Sequence, residues 1–114
     1  MPRIELPRSE IPPGTLTLLI LKTLVRGGEQ HGYEIAGSIE QVSRSVLRVE
    51  EGSLYPALQR LFADGYVVAR WGQTEANRKA RYYQITAAGK KQLQAEQSQF
   101  ERVVQAVTRV LAPG

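Results

Sequence analysis

The chain has 114 residues, a net charge of +4 and no cysteine. This length supports one domain with a modest core rather than two, and the lack of cysteine excludes disulfides, thiolate nucleophiles and cysteine-ligated zinc. The apolar run of residues 16–21 is too short to span a bilayer, and Lys22, Arg26 and Glu29 follow it where a signal peptide would have its small-residue cleavage site, so we expect a cytoplasmic protein.

The positive charge is concentrated in one segment. Residues 1–69 carry a net charge of −1, residues 70–91 a net charge of +5, and residues 92–114 carry equal numbers of both signs. A concentrated positive field is typical of a surface that contacts polyphosphate. The alternative is a basic surface that serves only solubility.

The first part of the chain predicts an arm and two helices. Residues 1–13 are proline-rich and lack periodicity, which is typical of a flexible arm. A first helix is predicted from Thr15, a plausible N-cap, to about Arg26. It is apolar on most of its circumference, so it must be buried on two sides, and one side needs a second partner. A second helix follows the glycine pair 27–28 and runs from about residue 31 to 43.

The middle of the chain predicts a short strand and a third helix. Residues 46–49 form the strand, which we expect to add one edge to a later hairpin. The helix begins between residues 50 and 53, because Pro56 is tolerated in a first turn but costs about 3 kcal/mol in a helix interior. Leu54, Leu58 and Leu61 recur at helical spacing and face the core. The outward set is Ser53, Tyr55, Gln59 and Arg60.

Two β-branched and aromatic runs follow, at residues 67–71 and 80–85, separated by a polar loop that holds Arg78 and Lys79. Tyr82 and Tyr83 alternate across the predicted ribbon, so one should face the core and the other should be exposed. A helix that leads directly into a basic hairpin indicates a winged helix, a variant of the helix-turn-helix fold that binds duplex DNA.

Thr86 is the predicted cap of a last helix that reaches about residue 111, near 37 Å long at ~1.5 Å per residue. Its apolar residues recur at alternating spacings of four and three, which indicates a heptad seam. We expect this helix and the first one to build a dimer interface; the alternative is a helix that lies along its own domain. The predicted interface residues are Leu16, Leu19, Leu93, Phe100, Val104, Val107 and Leu111.

The outward side chains of the third helix have suitable chemistry for the major groove, where base edges are distinguishable. Gln59 matches adenine, and Arg60 reaches guanine or a phosphate. Ser53 and Tyr55 are expected to hold phosphates, which fix register without reading sequence; alternatively, Tyr55 stiffens the helix entry. The full predicted DNA-binding set is Tyr33, Ser53, Tyr55, Gln59, Arg60, Asn77, Arg78, Lys79 and Arg81.

The remaining members of this set lie at the start of the second helix and on the hairpin. Tyr33 either holds a phosphate with the help of the helix dipole or packs as a half-buried residue. The hairpin tip is expected to reach a phosphate or the minor groove through Asn77, Arg78 and Lys79. Arg81, on the strand after the tip, belongs to the same group. His31 is interpreted as a helix-entry residue.

No catalytic, metal or cofactor arrangement is present in the sequence. The sequence has a single histidine and no Gly-x-Ser-x-Gly motif that would supply a nucleophilic serine. It also has no phosphate-binding glycine loop and no metal-ligand cluster. Glu50 and Glu51 are a carboxylate pair only in sequence, since adjacent residues of a helix do not face each other, and their negative charge suits a helix start. We therefore expect neither an enzyme nor a cofactor.

Five segments together resemble one family, the PadR-family transcriptional regulators. They are Gly-Thr-Leu at 14–16, His-Gly-Tyr-Glu-Ile at 31–35, Gly-Ser-Leu-Tyr-Pro-Ala-Leu-Gln-Arg-Leu at 52–61, Gly-Tyr-Val at 65–67, and Arg-Tyr-Tyr-Gln-Ile-Thr-Ala-Ala-Gly at 81–89. Two runs within these segments, Leu-Tyr-Pro-x-Leu-x-x-Leu at 54–61 and Tyr-Tyr-x-Ile-Thr-x-x-Gly at 82–89, are specific as a pair. The chain is similar to the short subgroup with one C-terminal helix. The resemblance implies a homodimeric winged-helix repressor whose C-terminal helices form the interface.

The expected fold is mainly α with a small β-hairpin: a flexible arm over 1–13, a winged helix-turn-helix over 14–86, and a long dimerisation helix over 87–114. The expected function is sequence-specific regulation of transcription by a homodimer on a pseudo-palindromic operator. The alternatives are a winged-helix protein-interaction module without DNA binding and an RNA-binding winged helix. The expected partners are double-stranded DNA and a second copy, with no membrane, and a small-molecule effector of unspecified identity is left open.

Overall fold

The computed structural model describes residues 9–12 and 14–114. It confirms a mainly α-helical winged helix-turn-helix with a small β-hairpin and a long last helix. The helices are α1 Leu16–Gly27, α2 Gly32–Val42, α3 Glu51–Ala63 and α4 Ala87–Leu111. The strands are β1 Ser9–Glu10, β2 Gln30–His31, β3 Leu47–Arg48, β4 Val67–Gln73 and β5 Lys79–Ile85. Most of the predicted arm over 1–13 lies outside the described residues.

Helix α1 is the centre of the core and contacts α2, α3, α4 and β5. Its side chains Ile20, Leu21 and Leu24 are almost completely buried, as expected for a helix that is apolar on several faces. Thr15 occupies the N-cap position, but its side chain makes no capping hydrogen bond. At the other end, Gly28 adopts a φ of 74° and its N–H donates to the carbonyl of Leu24 at 3.0 Å, a left-handed ending that favours glycine.

The strand predicted over 46–49 exists, but its predicted partner was wrong. Strand β3 pairs in parallel with β1, Ser9 opposite Leu47, whereas the edge of the hairpin is taken by β2, which pairs antiparallel with β5. The buried side chain of Gln30 explains this arrangement, since its Nε2 donates to the carbonyls of Thr23 and Gly28, each at 3.1 Å. These hydrogen bonds hold β2 at the end of α1, where it forms the edge of the three-stranded sheet next to β5.

Helix α3 crosses α1 with Leu54, Leu58 and Leu61 buried, as predicted. It begins at Glu51, inside the predicted interval. Pro56 is nevertheless the sixth helical residue and lies in the second turn, not in the first turn where proline is harmless. The packing of the three leucines therefore stabilises a helix that its proline weakens.

Strands β4 and β5 form a seven-pair antiparallel ribbon from Val67 opposite Ile85 to Gln73 opposite Lys79. Residues 74–78 close it: the N–H of Thr74 donates to the carbonyl of Arg78 at 2.8 Å, and Asn77 has a φ of 60°, which asparagine tolerates better than most residues. The ribbon is longer than predicted because Gly72, Gln73 and Lys79 also belong to it.

Helix α4 is fixed at its start and projects at its end. Thr86 caps it as predicted, its Oγ1 accepting the N–H of Gly89 at 3.0 Å and donating to the carbonyl of Gly65 at 2.7 Å. A Cβ at Gly89 would overlap the carbonyl of Tyr66, so only glycine allows this close packing. Gly89 and Leu93 are its buried residues, and every residue from 98 onward is exposed.

Candidate nucleic-acid interface

The predicted DNA-binding residues lie at the start of α2, on α3 and on the hairpin. With the exception of Arg81, which is half-buried, all of them are exposed, and Tyr33 retains 70% of its accessible surface. With 3.6 residues per turn, Pro56 and Gln59 lie opposite the buried Leu54 and Leu58. They form the outermost line of α3.

The other outward residues of α3 belong to two flanks. Tyr55 and Phe62 line a cleft with Arg81 of the hairpin, and Gln59 lies at its border. Ser53 and Arg60 line a second and larger cleft on the other side. The outward residues predicted on α3 therefore do not form one continuous surface. Gln59 is outermost, Tyr55 belongs to the cleft on one side, and Ser53 and Arg60 belong to the cleft on the other.

The flank that contains Ser53 and Arg60 is the wider of the two. Its other walls include Ile11, which precedes α1, Leu16 at the start of α1, and Arg48 of β3. Arg48 pairs with Glu50, the N-cap residue of α3, at 3.1 Å. The carboxylates at the start of α3 are therefore helix-entry groups, as predicted.

Tyr55 has a packing role beside its exposure. A Cβ added at Gly32 would lie 3.2–3.4 Å from the ring and hydroxyl of Tyr55, so the ring lies against the backbone at the start of α2. Tyr55 nevertheless remains 44% exposed. Both alternatives considered for this residue, a structural role and an outward-facing hydroxyl, are compatible with this position.

Sequence reasoning missed the contact between Tyr33 and Glu51. The hydroxyl of Tyr33 donates to Oε1 of Glu51 at 3.0 Å and so connects the N-termini of α2 and α3. This hydrogen bond is the main reason that the pKa of Tyr33 is raised above its ordinary value, because it favours the protonated phenol. The two residues are 18 positions apart, and no sequence pattern indicates their pairing.

His31 is a helix-entry residue, as predicted. Its Nδ1 accepts the N–H of Glu34 at 3.4 Å, and the Glu34 carboxylate accepts the N–H of His31 at 3.1 Å, a reciprocal capping box. The imidazole also packs edge-on against Tyr82, with ring centroids 5.4 Å apart. These contacts fix the start of α2 against the hairpin.

The two faces of the hairpin hold their cations differently. On the face that continues the core surface, Lys79 Nζ lies 5.2 Å from the ring centroid of Trp71, and the Arg81 guanidinium lies 4.8 Å from that of Phe62. On the opposite face, Arg70 makes two hydrogen bonds to Glu29, of 2.6 and 2.9 Å. The contact with Arg70 lowers the pKa of the Glu29 carboxyl. Arg70 is thus neutralised, whereas Lys79 and Arg81 pack on aromatic rings and have no ion pair within the described residues.

At the tip, the side chain of Arg78 is exposed, and within residues 9–12 and 14–114 it has no ion pair. Only its backbone is fixed, by a hydrogen bond from its N–H to Thr74 Oγ1 at 3.2 Å. Asn77 beside it is exposed as well. The tip thus projects a free cation from a rigid turn.

A second surface lies on the distal half of α4. Phe100, Val104, Val107 and Leu111 are exposed along one side of the helix, and Val103 and Val110 widen this strip. Leu16 and Leu19 of α1 are half-buried in the single chain. Leu93, assigned to the same seam by its spacing, is instead part of the core of the single chain. The strip begins about two turns beyond the point where α4 leaves the core.

Two further findings concern the described part of the chain alone. None of its helices is both long and apolar enough to cross a membrane. Residues 9–12 and 14–114 also contain no group of three or more histidine, aspartate or glutamate side chains placed to hold a metal ion.

Three helices with a hairpin next to the third, and a long helix after the hairpin, define a winged helix-turn-helix protein with a C-terminal extension. The family model of PadR-like transcriptional regulators matches residues 20–95, which is most of this unit. The chain belongs to the PadR-like family of transcriptional regulators.

Individual relatives agree with this assignment. A transcriptional regulator of Mycobacterium tuberculosis is 35% identical over 79 residues, 69% of this chain and 70% of that protein. The structure of a transcriptional regulator from Clostridium thermocellum superimposes with a TM-score of 0.78 at 27% identity and covers 87% of this chain and 95% of that one. Bacillus subtilis PadR, crystallised in complex with operator DNA, gives a TM-score of 0.62 at 26% identity over 71% of this chain, which corresponds to 45% of that protein.

Proposed function

We propose that this regulator is a homodimeric, sequence-specific DNA-binding repressor that acts in the cytoplasm on a pseudo-palindromic operator. The observation that carries the proposal is that the cationic face of the hairpin borders the outward side of α3. Gln59 shares a cleft with Arg81 of the hairpin, and Lys79 lies on the same face of the ribbon as Arg81, two residues nearer the tip. A helix of this size fits the major groove, and the structural relative crystallised with operator DNA supports duplex DNA as the ligand.

Within this proposal the residues have separate roles. Gln59 pairs with adenine through its amide, and Arg60 reaches guanine or a phosphate from the flank of α3. Ser53, Tyr55 and Tyr33 contact phosphates, which set the register of the helix in the groove. Because the Tyr33 hydroxyl donates to Glu51 in the free protein, it must exchange this acceptor for a phosphate oxygen.

The hairpin provides the second contact region. Asn77, Arg78 and Lys79 reach the backbone or minor groove beside the half-site, where a narrow groove attracts cations. Arg81 lies deeper, its guanidinium 4.8 Å from the Phe62 ring and 5.9 Å from the Trp71 ring. It therefore supports the ribbon and adds to the positive field more than it extends toward a phosphate.

The distal strip of α4 is the proposed dimer interface. Phe100 and Val104 are each more than 40% exposed on a helix that has left its own core, and removal of such apolar side chains from water favours association. Leu16 and Leu19 of α1 provide the remaining apolar surface. Two protomers joined in this way present two α3 helices to successive major grooves about 34 Å apart. Repression follows when such a dimer occupies a promoter.

A salt-dependent titration tests this proposal. Duplexes are first selected by the protein from fragmented genomic DNA, and the selected duplex is then titrated by fluorescence anisotropy at 50 and 200 mM salt. With six to ten phosphate contacts per dimer, affinity should fall by roughly 10³–10⁵ between these conditions. Failure to select any sequence, or binding that ignores salt, would contradict the proposal and favour a protein-interaction module.

A further inference from the structure

Pro56 is the feature of α3 that the fold of the single chain does not explain. It lies in the second turn of a thirteen-residue helix, where proline removes one backbone hydrogen bond and crowds the carbonyl four residues earlier. That residue is Gly52, another weak helix former. Glycine and proline are the two weakest helix formers, and in α3 they lie one turn apart on its exposed side.

The neighbourhood of both residues gives no structural reason for them. Gly52 has no positive φ, and a Cβ built on it would meet nothing within 4 Å. The ring of Pro56 is exposed at the border of the cleft that contains Ser53 and Arg60. An alanine at either position would fit the single chain and would strengthen the helix.

What the two residues share is their position on the outermost line of α3, next to Gln59. Residues three apart on a helix are neighbours, so a base contacted by Gln59 lies within one or two base steps of the group that meets Pro56. The proline ring is rigid, apolar and without a donor. The apolar feature that the major groove offers is the 5-methyl group of thymine.

We propose that Pro56 is a specificity-determining residue whose ring packs against a thymine methyl, in a half-site where Gln59 reads a neighbouring adenine. Gly52 lets the first turn of α3 lie close enough to the bases for this contact. The inference rests on the proposed DNA-binding function and adds the identity of one base and the group that recognises it.

The test removes the methyl group from the DNA and then the ring from the protein. In the selected duplex, each thymine of one half-site is replaced singly by deoxyuridine, and affinity is measured by fluorescence anisotropy. One position should bind the wild-type protein about fourfold more weakly without its methyl group, the factor for burial of one such group. Pro56→Ala should reduce this ratio to about one while its melting temperature rises.

Pro113→Ala, which alters an exposed proline beyond the end of α4, is the matched control and should keep the fourfold ratio. If no thymine of the half-site shows a methyl effect with the wild-type protein, or if Pro56→Ala keeps it, the inference is wrong. The proposed function then still stands, since the wild-type protein binds the selected duplex with its salt dependence. If no duplex is bound, both are wrong.

Discussion

Two parts of this molecule extend beyond the shared core, and their surfaces differ in kind. The distal end of the hairpin carries two exposed cations, Arg78 and Lys79, and Lys79 lies over the exposed indole of Trp71. The distal half of α4 carries an apolar strip that includes Phe100 and Val107. Both extensions begin at well-packed ends, the hairpin at Val67 and Tyr83 and the helix at Gly89 and Leu93.

The difference indicates different partners. Exposed cations on a rigid turn gain most from a polyanion, whereas an exposed apolar strip on a helix gains most from another apolar surface. The core fixes the start of both extensions, but the side chains at their distal ends do not belong to the core. A change in one extension should therefore leave the role of the other intact, which is the basis of the following predictions.

The largest effect should come from Phe100→Glu. A carboxylate in this apolar strip would be buried without a partner in both protomers, a cost of about 3–5 kcal/mol for an unpaired buried charge. The dimer dissociation constant should rise at least a hundredfold, measured by size-exclusion chromatography with light scattering. Gln105→Glu, on the opposite side of α4, introduces the same charge and should leave the dimer intact; dissociation by both variants would contradict the strip as the interface.

Gln59→Ala should have the next largest effect, on sequence preference alone. Loss of a bidentate contact removes about 1–3 kcal/mol of discrimination at one base pair, which is roughly fivefold to 150-fold. The ratio of dissociation constants for the selected duplex and for duplexes with that pair changed measures it. Lys79→Ala should weaken all of these duplexes alike. Equal loss of discrimination in both variants would contradict the assigned roles.

Arg78→Ala should change the salt dependence rather than the preference. Each phosphate contact contributes about −0.9 to the slope of log affinity against log salt, so a dimer that loses one contact per protomer should show a slope smaller by about 2. Anisotropy titrations over a salt series measure the slope. Arg102→Ala, on α4, removes the same charge away from the hairpin, and an equal change there would show that net charge alone is responsible.

The smallest effect concerns the opposite face of the hairpin. Because Arg70 lowers the pKa of Glu29 in the folded chain, the pair stabilises the protein above the ordinary pKa of a glutamate, and this contribution is lost as the pH falls through the lowered value. The melting temperature of Glu29→Gln should be slightly below that of the wild type at neutral pH and should approach it in acid. A constant difference at all pH values would mean that the carboxylate charge is not involved.

Local patterns predicted the elements that rest on local chemistry. The leucines of α3, the Thr86 cap and the 25-residue length of α4 all follow from spacing or capping within a few turns. The partner of residues 46–49 could not be predicted in this way, because the pairing of short strands depends on tertiary contacts, such as the hydrogen bond from the Gln30 amide to the carbonyl of Thr23 that holds β2 at the end of α1. The spacing of apolar residues shows which side of a helix or strand is buried, but it does not show which other element packs against that side.

The candidate site shows the same limit. Sequence patterns indicated that Gln59 and Arg78 are exposed, and they are. They did not indicate that Arg70 is neutralised by Glu29, 41 residues away, or that Arg81 lies against the ring of Phe62. Charge counting overestimates the free positive surface of the hairpin, since only the folded arrangement shows which cations already have partners.

The most direct test of the account is the molar mass in solution with and without the selected duplex, measured by light scattering. The protein should be a dimer without DNA and, on addition of the duplex, should form one complex that contains two protein chains and one duplex. A monomer, or a dimer whose mass does not increase with DNA, would contradict the claim that the two extensions bind a second copy and a double helix.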